Sequence, residues 1–529
     1  MADEVEQLTR RQLRELREQE EQRTRRGWRG ARGHSEQDVP DRRADGPTAV
    51  ALVDPAGLPQ RRERRAERES RGRTWAATRP ASSSTMSGPL ALLRSPIGLG
   101  GLWLLTHTIA AVLFLVRFGT NPDRWGGLIV GELTTTVSRV GQLDKLPPQR
   151  VLPELTGPNV RLLQGLADLV GNTGTALLVA LAVIAVLADV LVLVLLMRAA
   201  TNGPTAAAYW ALAVPLLGPV AYARLDMLTV ATVVLAWVWA SRRPLWAGAA
   251  LAVATGLQTW PVLVVLPLMA AIPGHRRRAA AVGYAALGLP LVVVGLLTGG
   301  WTRLLSPFTS IGNLGLGVDS VLGTAPLLDV AVGGRHSVTS ASGVLELRGS
   351  WVAGLLTTSV VLGVLVVVVS LVLGALLLRA SAARAHPEAA TPESGLAGDG
   401  ALVVAASLLA CLTVGRSLSA EALVWALPFL AMVAGRRGRR PWLVLLVLFA
   451  VLLTQWIYPY SFGQLAIPSS PGFDRSAILV AVRNLALVVA VAWAVFAAAR
   501  AVWVSPRPAP ASVPMAATRH TGAAAGPTP

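Results

Sequence analysis

The sequence predicts an all-α polytopic membrane protein with about ten transmembrane helices and a re-entrant helical hairpin. Three observations lead there. Of the 529 residues 53% are apolar and only 15% are charged. Beyond about residue 92 the chain repeats uninterrupted apolar stretches of about 20 residues, enough to cross a ~30 Å hydrocarbon core at ~1.5 Å per helical residue. The arginines of this region sit at the ends of the apolar stretches, where orientation signals belong. Ala, Val, Leu and Gly dominate the stretches, as close helix packing in lipid requires.

Composition divides the chain into three regions. Residues 1–92 are rich in Arg, Glu and Gln, then in Pro, Ala and Ser. "QLTRRQLRELREQEEQRTRR" has the residues of a charged helix but no apolar stripe to bury, so the region reads as a disordered cytoplasmic tail. Met86, in "STMSGPLALLRSP", offers an alternative start. Residues 93–503 form the multi-span domain, and residues 504–529 form a second disordered cytoplasmic tail. The charged stretch at Met1 is no cleavable signal peptide.

Several function classes are disfavoured. The net charge of +18 does not point to nucleic acid, because the basic residues outside the tail flank apolar spans. Cys411 is the single cysteine, which leaves no intrachain disulfide and no Cys-based metal or redox site. The six histidines show no paired metal-ligand spacing, so no metal is expected. The chain has neither a Walker loop nor a dinucleotide fingerprint, which argues against direct nucleotide use.

Flanking arginines orient the spans. The first, about 100–118, follows the Arg-rich tail and leaves the cytoplasm; the second, about 173–197, returns to Arg198. Stretches 205–217 and 227–240 form a hairpin that ends at "SRRP". Residues 245–272 are apolar but carry arginines at both ends, and "GLQTWP" (Gly256 to Pro261) interrupts them. A single span would leave one arginine cluster outside. Two short arms meeting at Pro261, which has no amide proton, keep both inside, so the reading is a re-entrant hairpin lining a protein cavity. Stretches 279–299, 351–378, 401–414, 423–435, 442–456 and 478–499 continue the alternation. The expectation is a multi-pass plasma-membrane protein with both termini cytoplasmic.

With this topology the acidic motifs fall on the extracytoplasmic face: Asp123 in "FGTNPDRW", Glu154 in "VLPELTGPNVRLL", Arg224 and Asp226 in "ARLDM", Asp319 in "LGLGVDSVLG", and Arg416 and Glu421 in "GRSLSAEALVW". The long connections 119–172 and 300–350 lie on that face too. Each motif has a bland reading beside the functional one. Asp123, after "NP" at a span end, caps the next helix or serves the chemistry. Glu154 is a loop carboxylate or a site residue. Arg224 and Asp226 are i,i+2 and point to different sides of a helix, so they do not pair directly. Asp226 fits an N-cap of the following span, with Arg224 left to meet another charge. Arg416 and Glu421, at a second hairpin tip, cap helices or bind an anion. Asp189 and Arg483 lie deeper in spans and read as functional charges or as a mutual structural pair.

These motifs resemble glycosyltransferase family 87, within the C-type glycosyltransferase superfamily. "GPVAYARLDMLTVATVVLAWVWASRRPLWAGAALAVATGLQTWPVLVVLPLM" is similar to the family's central block: an Arg-x-Asp turn, a span, "RRP", then a short helix ending in Lys or Gln before "WP". "GRSLSAEALVWALPFL" resembles a signature that it matches at Ser419, Trp425 and Pro428. "VLPELTGPNVRLL" keeps the Glu of a third motif at Glu154, "IGNLGLGVDSVLG" resembles an external motif ending at Asp319 and Ser320, and "TQWIYPYSFGQL" resembles a late "T-Q-x-x-Y-P" turn. The resemblance spans roughly residues 95–500.

It implies a C-type bundle with extracytoplasmic loop helices and a transferase that takes a sugar, often mannose, from a polyprenyl-phosphate carrier to an envelope glycolipid or glycan. The lipid-linked sugar is the co-substrate, and no cofactor is implied. Asp123 is then the general base that deprotonates the acceptor hydroxyl. Arg224 and Arg416 are the candidates for the lipid phosphate, and the tip from Gln258 to Pro261 walls the prenyl cavity. Asp226, Glu154, Asp319 and Glu421 complete the implied substrate site. The chain departs from the family pattern at several places: Gly126 and Gly127 replace an aromatic, Leu314 an arginine, Gln258 a lysine, and Ser419-Ala420-Glu421-Ala422 stands for "S-P-Q-Y". Two other classes stay open: a lipid-linked-sugar transporter, and a catalytically degenerate membrane partner of envelope-synthesis enzymes.

Overall fold

The computed structural model of the protein describes residues 95–119, 158–171, 174–199, 203–222, 224–305, 314–341, 344–383, 396–435 and 441–503. All of them belong to one compact unit, Met86–Pro529. The two tails read as disordered, with Asp123 and Glu154, lie outside the described residues.

Helices make up most of the unit. They are α1 (Pro96–Phe118), α2 (Pro158–Leu169), α3 (Gly174–Ala199), α4 (Gly203–Leu217), α5 (Asp226–Trp239), α6 (Pro244–Leu257), α7 (Val265–Ala271) and α8 (Arg277–Leu304). After a small sheet and α9 (Thr324–Ala331) come α10 (Val352–Ala383), α11 (Leu396–Val414), α12 (Leu427–Ala434), α13 (Pro441–Gln455) and α14 (Phe473–Trp503). Among the described residues, six helical stretches are long and apolar enough to cross a membrane: 96–116, 179–198, 274–297, 352–381, 441–458 and 473–503. The outward side chains of these helices, Leu104, Leu187, Leu289, Val364 and Leu485 among them, are large, apolar and exposed. Only lipid makes such a surface favourable.

The shorter apolar helices α4, α5, α11 and α12 pack inside this shell around Trp210, Met227, Val404 and Phe429, all fully buried. Two glycines set the tightest crossing. Gly248 of α6 sits against the backbone of Ala280, and Gly283 of α8 against that of Leu245, and a Cβ at either position would strike main chain. Small residues at a helix crossing bring backbones close enough for dispersion to hold them where hydrophobic force is absent.

One end of the bundle is marked by arginine. Arg276 donates to the Ser241 carbonyl (3.1 Å), and Arg277 donates to the carbonyls of Met269 and Ile272 and to Ser381 Oγ. The two arms predicted for residues 245–272 are present. α6 ends at Leu257, Gln258 and Thr259 break the helix, and a 3-10 turn (Trp260–Val264) leads into α7, which returns to the arginine end. The 14 residues of α6 extend about 21 Å, short of a ~30 Å hydrocarbon core.

The sequence reading foresaw no strands. In the connection before α10, β1 (Leu316–Gly317), β2 (Ser337–Ala341) and β3 (Val344–Arg348) form an antiparallel sheet in the order β1-β3-β2. Val338 pairs with Leu347 and Leu316 also faces Leu347, so one face is apolar. That face joins Leu327, Phe462, Phe473 and Val480 in a second core against the start of α14. The 31-residue α14 reaches about 46 Å, longer than a bilayer core, so its first turns are free to carry this module.

Candidate functional site

Two helix starts and one helix break meet at the end opposite the arginines. Asp226 opens α5, Gln258 sits between α6 and α7, and a 3-10 turn (Ala420–Trp425) precedes α12. Asp226, 3% exposed, accepts hydrogen bonds at Oδ1 from Gln258 Nε2 (2.7 Å) and Trp425 Nε1 (2.6 Å). Gln258 Oε1 in turn accepts from Trp260 Nε1 (2.8 Å). The Trp260 and Trp425 rings stack, with centroids 5.6 Å apart and planes 15° apart. One carboxylate thus ties three elements together, and a charge buried without a cation is held by donors instead.

Arg224, two residues before Asp226, turns the other way. Its Nη1 lies 2.7 Å from Glu421 Oε1, the guanidinium 17% exposed and the carboxylate 5%. Arg224 is therefore reachable from outside the bundle while its counter-charge is not. The predicted absence of a direct Arg224–Asp226 pair agrees with these partners. The predicted N-cap does not: Asp226 is the first helical residue, Leu225 occupies the cap without a side-chain bond, and the Asp226 carboxylate is taken by Gln258 and Trp425. Long-range donors win over the local amide because the indole and the amide side chain would otherwise be buried unpaired.

Glu421 shares its connection with Arg416 and Ser417, which hold the sheet module. Gly317 N–H donates to the Arg416 carbonyl (2.8 Å), Arg416 Nη1 donates to the Leu314 carbonyl (2.9 Å), and Ser417 Oγ donates to Asp319 Oδ1 (3.2 Å). Partial burial lowers the Arg416 pKa from the usual arginine value. Arg416, read from sequence as a helix cap or an anion ligand, is used here to fasten the module. Burial pushes the Asp319 carboxyl above the usual carboxylate range, against the opposing pull of the Arg483 charge and of hydrogen bonds from Leu418 and Ser417. Arg483, fully buried in α14, donates to the Asp319 carbonyl and to Asn484 Oδ1 (Nε 3.0 Å, Nη2 2.8 Å). Asn484 Nδ2 continues to the Ser320 carbonyl (3.0 Å) and Thr324 Oγ1 (2.7 Å).

Asp189 and Arg483 are not a mutual pair, contrary to one sequence reading. Asp189, fully buried in α3, accepts from Trp210 Nε1 (2.6 Å), Trp103 Nε1 (2.9 Å) and Tyr222 Oη (2.9 Å), and His107 Nε2 lies 2.8 Å from Oδ2. Its partners come from α1, α4 and the turn before Arg224. Two separate buried charges, each with its own donors or acceptors, replace the expected bridge. Among the described residues, no group of three or more His, Cys, Asp or Glu side chains is placed to hold a metal ion.

The structure therefore brings together Arg224, Asp226, Gln258, Arg416, Glu421 and Asp319 at one end of the bundle. Sequence reasoning did not single out Trp260 or the hydrogen bond of Trp425, although both residues stand in quoted motifs, "LQTWP" and "LVWALP". Compared with known proteins, the chain matches no family model, no curated protein and no solved structure.

Replacing Asp226 by alanine is expected to lower stability by about 2 kcal/mol, since two buried donors lose their acceptor. Asp226→Asn, whose amide oxygen can stand in for Oδ1 toward both donors, is expected to recover most of that. Thermal midpoints of the purified variants in detergent check the order.

Proposed function

We propose that the protein is an integral-membrane glycosyltransferase that moves a sugar, mannose by the resemblance, from a polyprenyl-phosphate donor to an envelope glycolipid or glycan at the outer leaflet. The observation that carries this reading is the convergence of Arg224, Glu421, Asp226 and Gln258 at the end of the bundle opposite its arginine clusters. By the positive-inside rule the arginine end is cytoplasmic and the convergence faces out, with ten spans, a re-entrant hairpin and both termini inside. α5 puts Asp226 about 21 Å from the arginine end, roughly 9 Å short of the far edge of a ~30 Å core. A recess of that depth suits a substrate whose phosphate dips below the headgroups to meet Arg224 while its prenyl chain stays in lipid.

In this reading the acceptor hydroxyl attacks the anomeric carbon with inversion. The carbon–oxygen bond to phosphate breaks, its electron pair leaves with the polyprenyl phosphate, and the hydroxyl proton passes to Asp123. Arg224 and Arg416 neutralise the leaving phosphate. Glu154 and Asp319 are further substrate-site candidates by the resemblance, and no cofactor is needed.

A second reading, a catalytically degenerate partner of envelope enzymes, is favoured by one observation. Glu421, at a place where the family pattern has an uncharged residue, is paired to Arg224 and takes up charge that a phosphate would use. The two readings separate in a transfer assay. Purified full-length protein is given labelled polyprenyl-phosphate mannose or glucose with membrane lipid acceptors. Transfer from either donor, following the enzyme concentration, is the expected result; no transfer from any donor favours the degenerate partner.

A further inference from the structure

We infer that Trp425, backed by Trp260, is the platform on which the pyranose ring of the substrate rests, with Arg224, held in place by the buried Glu421, the charged group nearest to it that solvent reaches. The inference deepens the transferase reading and rests on it only for the sugar's being lipid-linked.

Trp425 is unlike its neighbours. Ala420 to Val424 in the same 3-10 turn are all buried, whereas Trp425 keeps part of its surface exposed. One face of the indole is covered by Trp260, which is itself 6% exposed and parallel within 15°. Both indole N–H groups are taken internally, Trp425 by Asp226 and Trp260 by Gln258. A tryptophan that served only to fill space would need no such fixing of its tilt. Here the ring is held by a hydrogen bond at its edge and a second indole behind it, so its remaining face is flat, apolar and preorganised.

The turn that carries Trp425 is also tied to a charged pair. Glu421 lies four residues earlier in the same turn, and its partner Arg224 lies two residues from Asp226, which holds the Trp425 N–H. The guanidinium, partly exposed and fixed by the carboxylate beneath it, offers a fork of donors that matches hydroxyl oxygens on a ring. An apolar plane with a few fixed polar groups is the make-up of a small-molecule site. A pyranose has the complementary surface: C–H groups on one face and hydroxyls around the rim. A phosphate has no apolar face, so lipid phosphate and sugar are separable ligands of this end of the bundle.

Saturation-transfer NMR on the purified full-length protein tests the assignment, with methyl α-mannopyranoside and methyl α-glucopyranoside as probes and farnesyl phosphate as a sugar-free control. In the wild type, saturation is expected on the C–H protons of one ring face of the glycoside. Trp425→Leu is expected to weaken glycoside binding about tenfold, the loss of an aromatic contact, and to leave farnesyl phosphate binding unchanged. Trp425→Phe, which keeps a stacked ring, is expected to retain most of the glycoside signal. Uniform saturation over the sugar in the wild type would overturn the platform even if the leucine variant did not fold. Equal glycoside binding by wild type and Trp425→Leu would overturn it too, whatever the transfer assay finds. Trp425-dependent glycoside binding in a protein without transferase activity would keep the platform and remove the transferase.

Discussion

Replacing Asp189 by alanine is expected to remove most of the folded protein from detergent extracts. The Asp189 carboxylate accepts from Trp103, Trp210 and Tyr222, and His107 Nε2 stands 2.8 Å away. Alanine leaves these groups facing a void within the bundle, where no water replaces the lost acceptor. Removing one partner of a buried charged network typically costs about 3–5 kcal/mol, a large part of a total stability of about 5–15 kcal/mol. Asparagine should fall between. His107 Nδ1 lies 2.7 Å from the Trp103 carbonyl, an acceptor only, so Nδ1 donates there, and Nε2 stands within hydrogen-bond distance of both Tyr222 Oη and residue 189. The amide oxygen can then serve one of the two indoles, and the other stays unpaired in either amide orientation. Fluorescence-detected size exclusion of the three proteins checks the order wild type, asparagine, alanine. An alanine variant as well behaved as the wild type would mean that the network holds nothing together. Combining Asp189→Leu with Trp210→Phe should lose less than the sum of the two single changes, because donor and acceptor leave together.

What was legible in the sequence follows the range of the interactions involved. The break at Gln258 and Thr259 is local, since Pro261 lacks an amide proton and arginines flank both arms, and the hairpin arms are where composition put them. The failure of Arg224 and Asp226 to pair is also local, a matter of i,i+2 geometry. The partners they chose instead are not local: Asp226 and Trp425 are 199 residues apart. No pattern within a window carries such a bond, so the nearest local use of an aspartate at a helix start, the N-cap, was the natural expectation and the wrong one. Arg483 and Asp189 had the same defect, because opposite charges in spans suggest each other, while the structure gives each its own hydrogen-bond partners already packed beside it. The three-stranded sheet escaped notice because strands of two to five residues carry too few alternations to stand out between apolar helices. Charged residues were easy to nominate in an apolar chain, and Trp260 and Trp425 entered only as letters of quoted motifs. The structure reverses that emphasis at Trp425, where the indole is the group left partly open and the carboxylate is the group that holds it.

Replacing Asp123 by alanine is expected to lower sugar transfer by about a hundred- to ten-thousand-fold, the usual range for loss of a general base. Attack on the anomeric carbon needs the acceptor oxygen to shed its proton as the new bond forms. The leaving phosphate needs positive charge and no acid, so one carboxylate carries the whole proton transfer. The loss should therefore appear in kcat with donor KM almost unchanged, because a base that touches only the acceptor hydroxyl contributes little to ground-state binding of the donor. Arg224→Gln should behave in the opposite way and raise donor KM, since the lipid phosphate is charged in the ground state as well as in the transition state. Asp123→Asn should resemble alanine, and Asp123→Glu should restore part of the rate by returning a carboxylate at a shifted position. Initial rates over a range of donor concentrations, with acceptor held in excess, separate these cases. Equal kcat for wild type and Asp123→Ala would remove Asp123 as the base and leave the transferase class intact. A KM effect at Asp123 with kcat unchanged would make it a binding residue and not the base, and a kcat effect at Arg224 would mean that its charge acts on the leaving phosphate in the transition state.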